Sequence, residues 1–316
     1  MPPLRRALFL PLLFAALLVA QEKPPQPAGA PPQAAPKPEA TEILAHEHSV
    51  TDSLEVIPFT SKVFHNTRML RVWIPGNYWS PHNKFRKYPV LYLQDGQNLF
   101  DKATSVTGTE WEVDETIDHL VGGFKIPPMF VVGIDNAAEQ RTSEYLPYAD
   151  SHNAQFHEQN PPKLEGTKYA DFLIKEVMPF LQKRYRIASG AANTGIGGSS
   201  YGAVASLTTV LNHPGVFSKV LLESPALWIG DGQLLQDARK TKVLPQKMYI
   251  GVGTQEMKNS EYDPQIVQSV TDLEKLLRAK GMGPPRLKVV VEEGAHHDEA
   301  AWAKRLPEAM LFLYGR

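Results

Sequence analysis

The stretch GIGGSSYGAVASL, from Gly195 to Leu207, sets two serines among glycines directly ahead of a helix-like run. Only Ser200 has glycine two residues away on both sides, at Gly198 and Gly202, because the residue two after Ser199 is Tyr201. A nucleophilic serine on a sharp strand-to-helix turn needs this G-x-S-x-G spacing. Side chains at the flanking positions would collide, and the serine is held in a strained conformation that exposes its hydroxyl. A dinucleotide-type G-x-G-x-x-G starting at Gly195 fails, because Ser200 occupies its third glycine position. The stretch also lies far from the N-terminal βαβ unit such a motif requires.

A hydroxyl nucleophile needs a base, and the base needs an orienting acid; in hydrolases of this kind the chain order is serine, acid, histidine. The segment MYIGVG is followed by GTQE, which puts Glu256 just past the end of a candidate strand, with Asp263 further along the same loop as the rival acid. LKVVVEEG is followed by AHHDE, which puts His296 and His297 past the next one. Trp302 and Leu306, four apart, form an apolar helix face that should dock and fix a helix start near Asp298 or Glu299. His297 then precedes the helix directly and is the better anchored base, while His296, one residue further out, is the alternative. No second His/Asp group completes a metal site around HHDE, so no metal and no cofactor are expected.

Acyl transfer also requires donors for the oxyanion. One is the backbone N–H of Tyr201, after the nucleophile; the second should come from a loop after an early strand, where LQDGQNLF offers the N–H of Gln97 beside a turning Gly96. Arg141, Glu144 and Tyr145 fall on an expected loop after MFVVGID and are read as substrate-binding. Arg141 either pairs with an anionic group of the substrate or closes a surface ion pair. Trp111 and Trp228 are candidate pocket aromatics and, like Trp302, are equally readable as core residues.

The elements that must position these groups follow from periodicity. Ser53 to Val63 and Arg68 to Pro75 read as extended, the second stopped by Pro75-Gly76. Apolar runs ending in polar residues mark further strands at Pro89–Gly96, Met129–Asp135, Val220–Ser224, Met248–Gly253 and Leu287–Gly294, with a short one before the serine motif. Helical spacing runs over Glu110–Val121, Tyr169–Tyr185, Ala203–Leu211, Pro264–Lys280 and Glu299–Leu313, with Pro179 expected to kink or split the second of these. Strands alternating with helices predict an α/β fold, with a mostly parallel central sheet and helices on both faces. Its ligand site should lie outside the carboxyl ends of the strands.

The chain of 316 residues carries a formal charge of −1, which argues against nucleic acid as a partner, and has no cysteine, which excludes disulfides and thiolate catalysis. Residues 1–20 read as a secretory signal, with Arg5 and Arg6 ahead of an apolar run from Ala7 to Ala20 that is too short to span a membrane comfortably. Residues 21–45 are Pro/Ala-rich without hydrophobic period and read as a disordered linker, leaving 46–316 as the folded domain. No other segment is apolar enough to span, so no membrane span remains once the signal is removed.

The pieces YPVLYLQDGQNLFD, VVGIDN with RTSEYLP, GIGGSSYGA, YIGVGTQE and GAHHDEAAWAKRLPEAMLFLY together resemble the putative-esterase family of α/β-hydrolases. That family includes enterochelin (siderophore), feruloyl and acetylxylan esterases, S-formylglutathione hydrolases and mycolyltransferases. The resemblance spans roughly Ser53 to Tyr314. It places the nucleophile on Ser200, the acid on Glu256 and the histidine on His297. Ala203, where many members carry a third glycine, is a departure expected to alter only helix packing. The resemblance implies an α/β-hydrolase fold and a secreted or periplasmic serine ester hydrolase for a small-molecule, siderophore or acylated-carbohydrate ester. The alternatives are acyl transfer by the same triad or a non-catalytic ligand-binding member. Export should remove about the first 20 residues; mass spectrometry of the mature protein is expected to find a start close to Gln21, and a full-length product contradicts the signal reading.

Overall fold

The computed structural model describes residues 49–50, 53–149 and 163–315. The expected signal at 1–20, the linker at 21–45 and the first residues of the 46–316 domain lie outside the described residues. Eight strands form one sheet in the order β1-β2-β4-β3-β5-β6-β7-β8. They are β1 Ser53–Thr60, β2 Thr67–Ile74, β3 Val90–Gln94, β4 Phe130–Ile134, β5 Thr194–Ser199, β6 Lys219–Glu223, β7 Lys247–Gly253 and β8 Leu287–Glu292. β2 pairs antiparallel with both β1 and β4, and all the pairs from β4 to β8 are parallel. The predicted sheet is therefore found, with the antiparallel hairpin at one edge. β3, β4 and β5 are buried along their whole length, which is why they read as continuous apolar or small-residue runs rather than alternating ones.

The helices are α1 Val113–Gly122, α2 Arg141–Tyr145, α3 Tyr169–Asp171, α4 Met178–Arg184, α5 Ser200–Asn212, α6 Gln233–Lys240, α7 Asp263–Ala279 and α8 Glu299–Tyr314. Two cores result, one on each face of the sheet. α1 and α8 cover one face, with Trp111, Ile117, Trp302, Leu306 and Met310 packed on Leu91, Leu93, Val131 and Tyr249. On the other, side chains of α3 to α7 such as Phe172, Leu181, Val204, Leu234 and Leu273 pack with Val132, Ile196 and Ile250. α5 is buried from Gly202 to Leu211, so it carries no polar stripe.

Three expectations are corrected in detail. The segment holding Arg141, Glu144 and Tyr145 is not a loop but the short helix α2. α1 starts at Val113 rather than Glu110, because Glu112 has φ +50° and the N–H groups of Trp111 and Val113 bond the carbonyls of Asn98 and Leu99. The Tyr169–Tyr185 helix is not split at Pro179. A π-helical stretch, Phe172–Val177, joins α3 to α4 just ahead of the proline, widening the turn whose carbonyl the proline cannot bond. α6 had no forecast in the sequence.

The switch in strand order lies between β3 and β5. From β3 the chain adds β4 on one side, then returns to build β5 through β8 on the other. In sheets of this kind ligands bind outside the carboxyl ends of the strands at such a switch. At the same edge α8 is pinned by charge: Arg305 Nε and Nη2 donate to Glu223 Oε2 at 2.9 and 2.7 Å, and Nη1 to Glu292 Oε2 at 2.9 Å. The Arg305 and Glu223 side chains are buried. Removing one partner leaves a buried charge alone. Arg305→Ala should cost about 3–5 kcal/mol in chemical denaturation, and the apolar pair Arg305→Met with Glu223→Leu markedly less; equal losses in the two proteins contradict this account.

Candidate active site

β5 ends at Ser199 and α5 begins at Ser200, whose φ of +52° is the left-handed conformation a nucleophile elbow demands. The flanking glycines are required by contact. A Cβ on Gly198 would lie 2.9 Å from the carbonyl carbon of Gly202, and one on Gly202 would lie 2.9 Å from Gln94 Cβ. Ala203 is fully buried in the helix packing. The N–H of Tyr201 belongs to the first turn of α5, at the positive end of the helix dipole.

Across from the elbow, β3 runs into a 3-10 turn at Gly96–Asn98. Its two hydrogen bonds run from the Asn98 N–H to Asp95 and from the Leu99 N–H to Gly96. The N–H of Gln97 takes part in neither. The turn is braced from α2 and the loop before it. Arg141 Nε and Nη2 bond Asp95 Oδ1 and Oδ2 at 2.8 and 2.9 Å, Asn136 Nδ2 donates to Asp95 Oδ1 at 2.7 Å, and the Asn136 N–H donates to Gln97 Oε1 at 3.2 Å. Asp95 itself has φ +57°, and its N–H donates to the Tyr145 hydroxyl at 3.2 Å.

These contacts revise the substrate-binding set. Arg141 takes the ion-pair alternative, on Asp95, with its guanidinium 5.2 and 5.4 Å from the rings of Tyr145 and Tyr201. Burial works against its charge, but Asp95 outweighs this and leaves the guanidinium more firmly protonated than usual. Glu144 is buried and ion-paired with Arg68 at 2.6 Å. Tyr145 is fully buried, and burial pushes its hydroxyl well above the ordinary tyrosine value. Trp111 is a core residue, 5.4 Å from Trp302 beneath the Gly96–Asn98 turn. Of the named residues Trp228 alone keeps a broad face open to solvent, on the loop that follows β6.

Glu256 and His297, from the loops after β7 and β8, meet. His297 Nδ1 lies 2.6 Å from Glu256 Oε2, and the carboxylate is fully buried. Glu256 Oε1 accepts from the Gly253 N–H at 2.6 Å and the Ser224 hydroxyl at 2.8 Å. Burial raises the Glu256 carboxyl, but His297, the Gly253 N–H and Ser224 outweigh it and hold it below the ordinary glutamate value. An ionised carboxylate can only accept, so Nδ1 carries the proton and Nε2 is left as the basic nitrogen. Asp263 is spent elsewhere: at the start of α7 it accepts from the N–H groups of Met257 and Asn259 and shapes the loop after β7. His296 turns its Nδ1 to the Gln255 carbonyl at 2.9 Å. Asp298 caps α8 by accepting from the Ala301 N–H, which anchors the residue just before it, His297. Among the described residues the Ser200 hydroxyl has no hydrogen-bond partner, and contacts of this kind often close only with substrate.

Sequence reasoning did not single out Asp95, Asn136 or Ser224. Asp95 was visible only as part of the DGQ turn, and nothing in the residue types around Ser224 marks it. A separate carboxylate cluster, Glu110, Asp114 and Glu115, brings ligand oxygens within 4.8 Å of one another. Burial and Asp114 push Glu115 up to about 7.

Residues 61–313 match the family described as Putative esterase. The chain is 21% identical over 251 residues to the uncharacterized protein YbbA of Bacillus subtilis (strain 168), covering 79% of this chain and 93% of that one. A solved ferulic acid esterase superposes with a TM-score of 0.60 at 18% identity, over 83% of this chain and 97% of its own. The enterobactin esterase FES from Shigella flexneri does so with a TM-score of 0.60 at 18% identity, over 84% and 60%. At these identities the likeness to the solved structures is one of fold. His297→Ala should abolish ester turnover, whereas His296→Ala should keep at least about a tenth of kcat/KM, a loss of no more than ~1.4 kcal/mol. The reverse ranking, in variants shown to be folded by circular dichroism, moves the base to His296.

Proposed function

The chain belongs to the putative-esterase family, and from that premise we propose that it is a serine carboxylic-ester hydrolase using Ser200, His297 and Glu256. The observation that carries the reading is the 2.6 Å contact of His297 Nδ1 with the buried Glu256 carboxylate, on the edge of the sheet where Ser200 stands with φ +52°. Ser200 attacks the ester carbonyl and His297 Nε2 takes its proton, then returns it to the leaving alcohol. Glu256 orients the imidazole and stabilises its charge. The N–H groups of Tyr201 and Gln97 receive the oxyanion, each worth about 3 kcal/mol in the transition state. Water then cleaves the acyl-enzyme by the same proton path in reverse. Trp228 is the aromatic best placed to meet substrate.

The substrate is proposed to be a small ester. Solved structures of this fold are named for ferulic acid and enterobactin esterases. The basic start and apolar run of residues 1–20 support export to the periplasm or beyond. Among the described residues no helix is long and apolar enough to cross a membrane. With p-nitrophenyl acetate, Ser200→Ala should lose on the order of 10⁴-fold or more in kcat, while Ser199→Ala stays active. Glu256→Gln should fall by about 10⁴-fold and Asp263→Asn by far less. A dead Ser199→Ala, or Asp263→Asn as the more damaging acid variant, overturns the assignment; added alcohols that yield transfer products in place of acid redirect it to acyl transfer.

A further inference from the structure

Glu256 is held from behind by Ser224, and Ser224 by Trp302, two residues that the serine, acid and histidine order does not include. Ser224 follows β6 directly, is buried, and has φ +43°. Glycine would accept that conformation without strain, yet the chain keeps a side chain there. The strained residue is held by its own N–H, which donates to the Gly251 carbonyl at 2.7 Å. Its hydroxyl stands between two partners: Trp302 Nε1 at 2.8 Å and Glu256 Oε1 at 2.8 Å. The indole N–H can only donate and the carboxylate can only accept, so the hydroxyl proton has one place to go. It points at Glu256. The face of this relay is closed by the same tryptophan, whose ring lies edge-on to the His297 imidazole, 5.3 Å away at 81°.

We propose that Ser224 and Trp302 are positioning residues for the acid–base pair: the chain Trp302 Nε1–H to Ser224 Oγ–H to Glu256 Oε1 fixes the carboxylate so that Oε2 meets His297, while the indole ring limits the tilt of the imidazole. The inference rests on the triad reading above. One side chain on α8 thereby constrains both members of the pair, Glu256 through its N–H on Ser224 and His297 through its ring. The Glu256 side chain reaches no solvent, so its orientation depends on Ser224 and Gly253 at Oε1 and on His297 at Oε2.

A carboxylate that loses one of its donors binds a proton more readily, and an imidazolium beside it is favoured too, so the coupled pair titrates at higher pH. The other charged groups around it come from several elements. Glu223 of β6 and Glu292 of β8 are tied to Arg305 of α8, Asp263 of α7 is bonded to the loop beyond Glu256, and His296 and Asp298 flank His297. None of them replaces the Ser224 donor on Glu256 Oε1.

The test is the pH dependence of p-nitrophenyl acetate hydrolysis by Ser224→Ala, Ser224→Gly, Trp302→Phe and the Ser224→Ala/Trp302→Phe double variant, with Ser200→Ala as control. Ser224→Gly suits the positive φ and keeps the fold if Ser224→Ala does not. The expected result is a fall in kcat of about tenfold with little change in KM, and an acid limb of kcat/KM moved to higher pH in each serine variant. Trp302→Phe, which keeps a ring on His297 but removes the N–H, should move the limb in the same direction, and the double variant no further than Ser224→Ala alone, because both changes break one chain. Folded variants with the wild-type acid limb, a loss carried by KM alone, or fully additive effects overturn the inference while leaving the triad intact. Turnover that survives in Ser200→Ala overturns the triad reading and the inference with it.

Discussion

The left-handed backbone at Ser200 is the constraint that organises the active edge. A residue with φ +52° at the end of a fully buried strand turns the chain so tightly that Gly198 and Gly202 approach each other and the end of β3. The close contact of Gly202 with Gln94 and Asp95 makes the elbow and the Gly96–Asn98 turn one packed unit. Ser200 and the loop that faces it are therefore not two mobile parts that must find each other. Parallel pairing of β3 with β5 sets their spacing before any side chain is considered.

Charge does the remaining work, and it does so inside the protein rather than on its surface. Arg141 with Asp95 braces the turn after β3, Glu256 with His297 joins the loops after β7 and β8, and Arg305 with Glu223 pins α8 to the sheet. Buried ions of this kind contribute little net stability compared with apolar packing, but breaking one member is costly. Their value here is directional. Each pair fixes where a loop end points, and every loop so fixed lies on the carboxyl edge. The price of that arrangement is several charges removed from water, met by multiple hydrogen bonds to each.

Much of this was legible in the chain. The strands, most of the helices and the parallel sheet follow from periodicity, and one five-residue glycine spacing marks the left-handed turn at Ser200 rather than Ser199. The preference for His297 over His296 follows from the helix start at Asp298, a local signal that the capping bond to Ala301 matches. The sequence left open whether Arg141 and Trp111 meet ligand or support the fold, and it read Glu144 and Tyr145 as substrate-binding where both are buried. Position after a strand was enough to bring Arg141 and Tyr145 to the active edge, but it could not tell a side chain that faces ligand from one that supports the chain facing ligand. Glu144, one helical step from Tyr145, turns instead to Arg68, a partner that no local signal marks.

The sequence by itself determined the elements, their order and the residue types available for chemistry, because turn sterics and apolar periodicity act over a few residues. Only the tertiary structure decided which of those residues meet. The contact of Glu256 with His297 spans 41 positions, that of Ser224 with Glu256 spans 32 and that of Trp302 with Ser224 spans 78. Such pairings are set by strand order and by the hand of the crossovers, which place β6, β7, β8 and α8 side by side. A serine after β6 becomes a partner of the buried carboxylate only because those elements pack there, and nothing local to Ser224 records it.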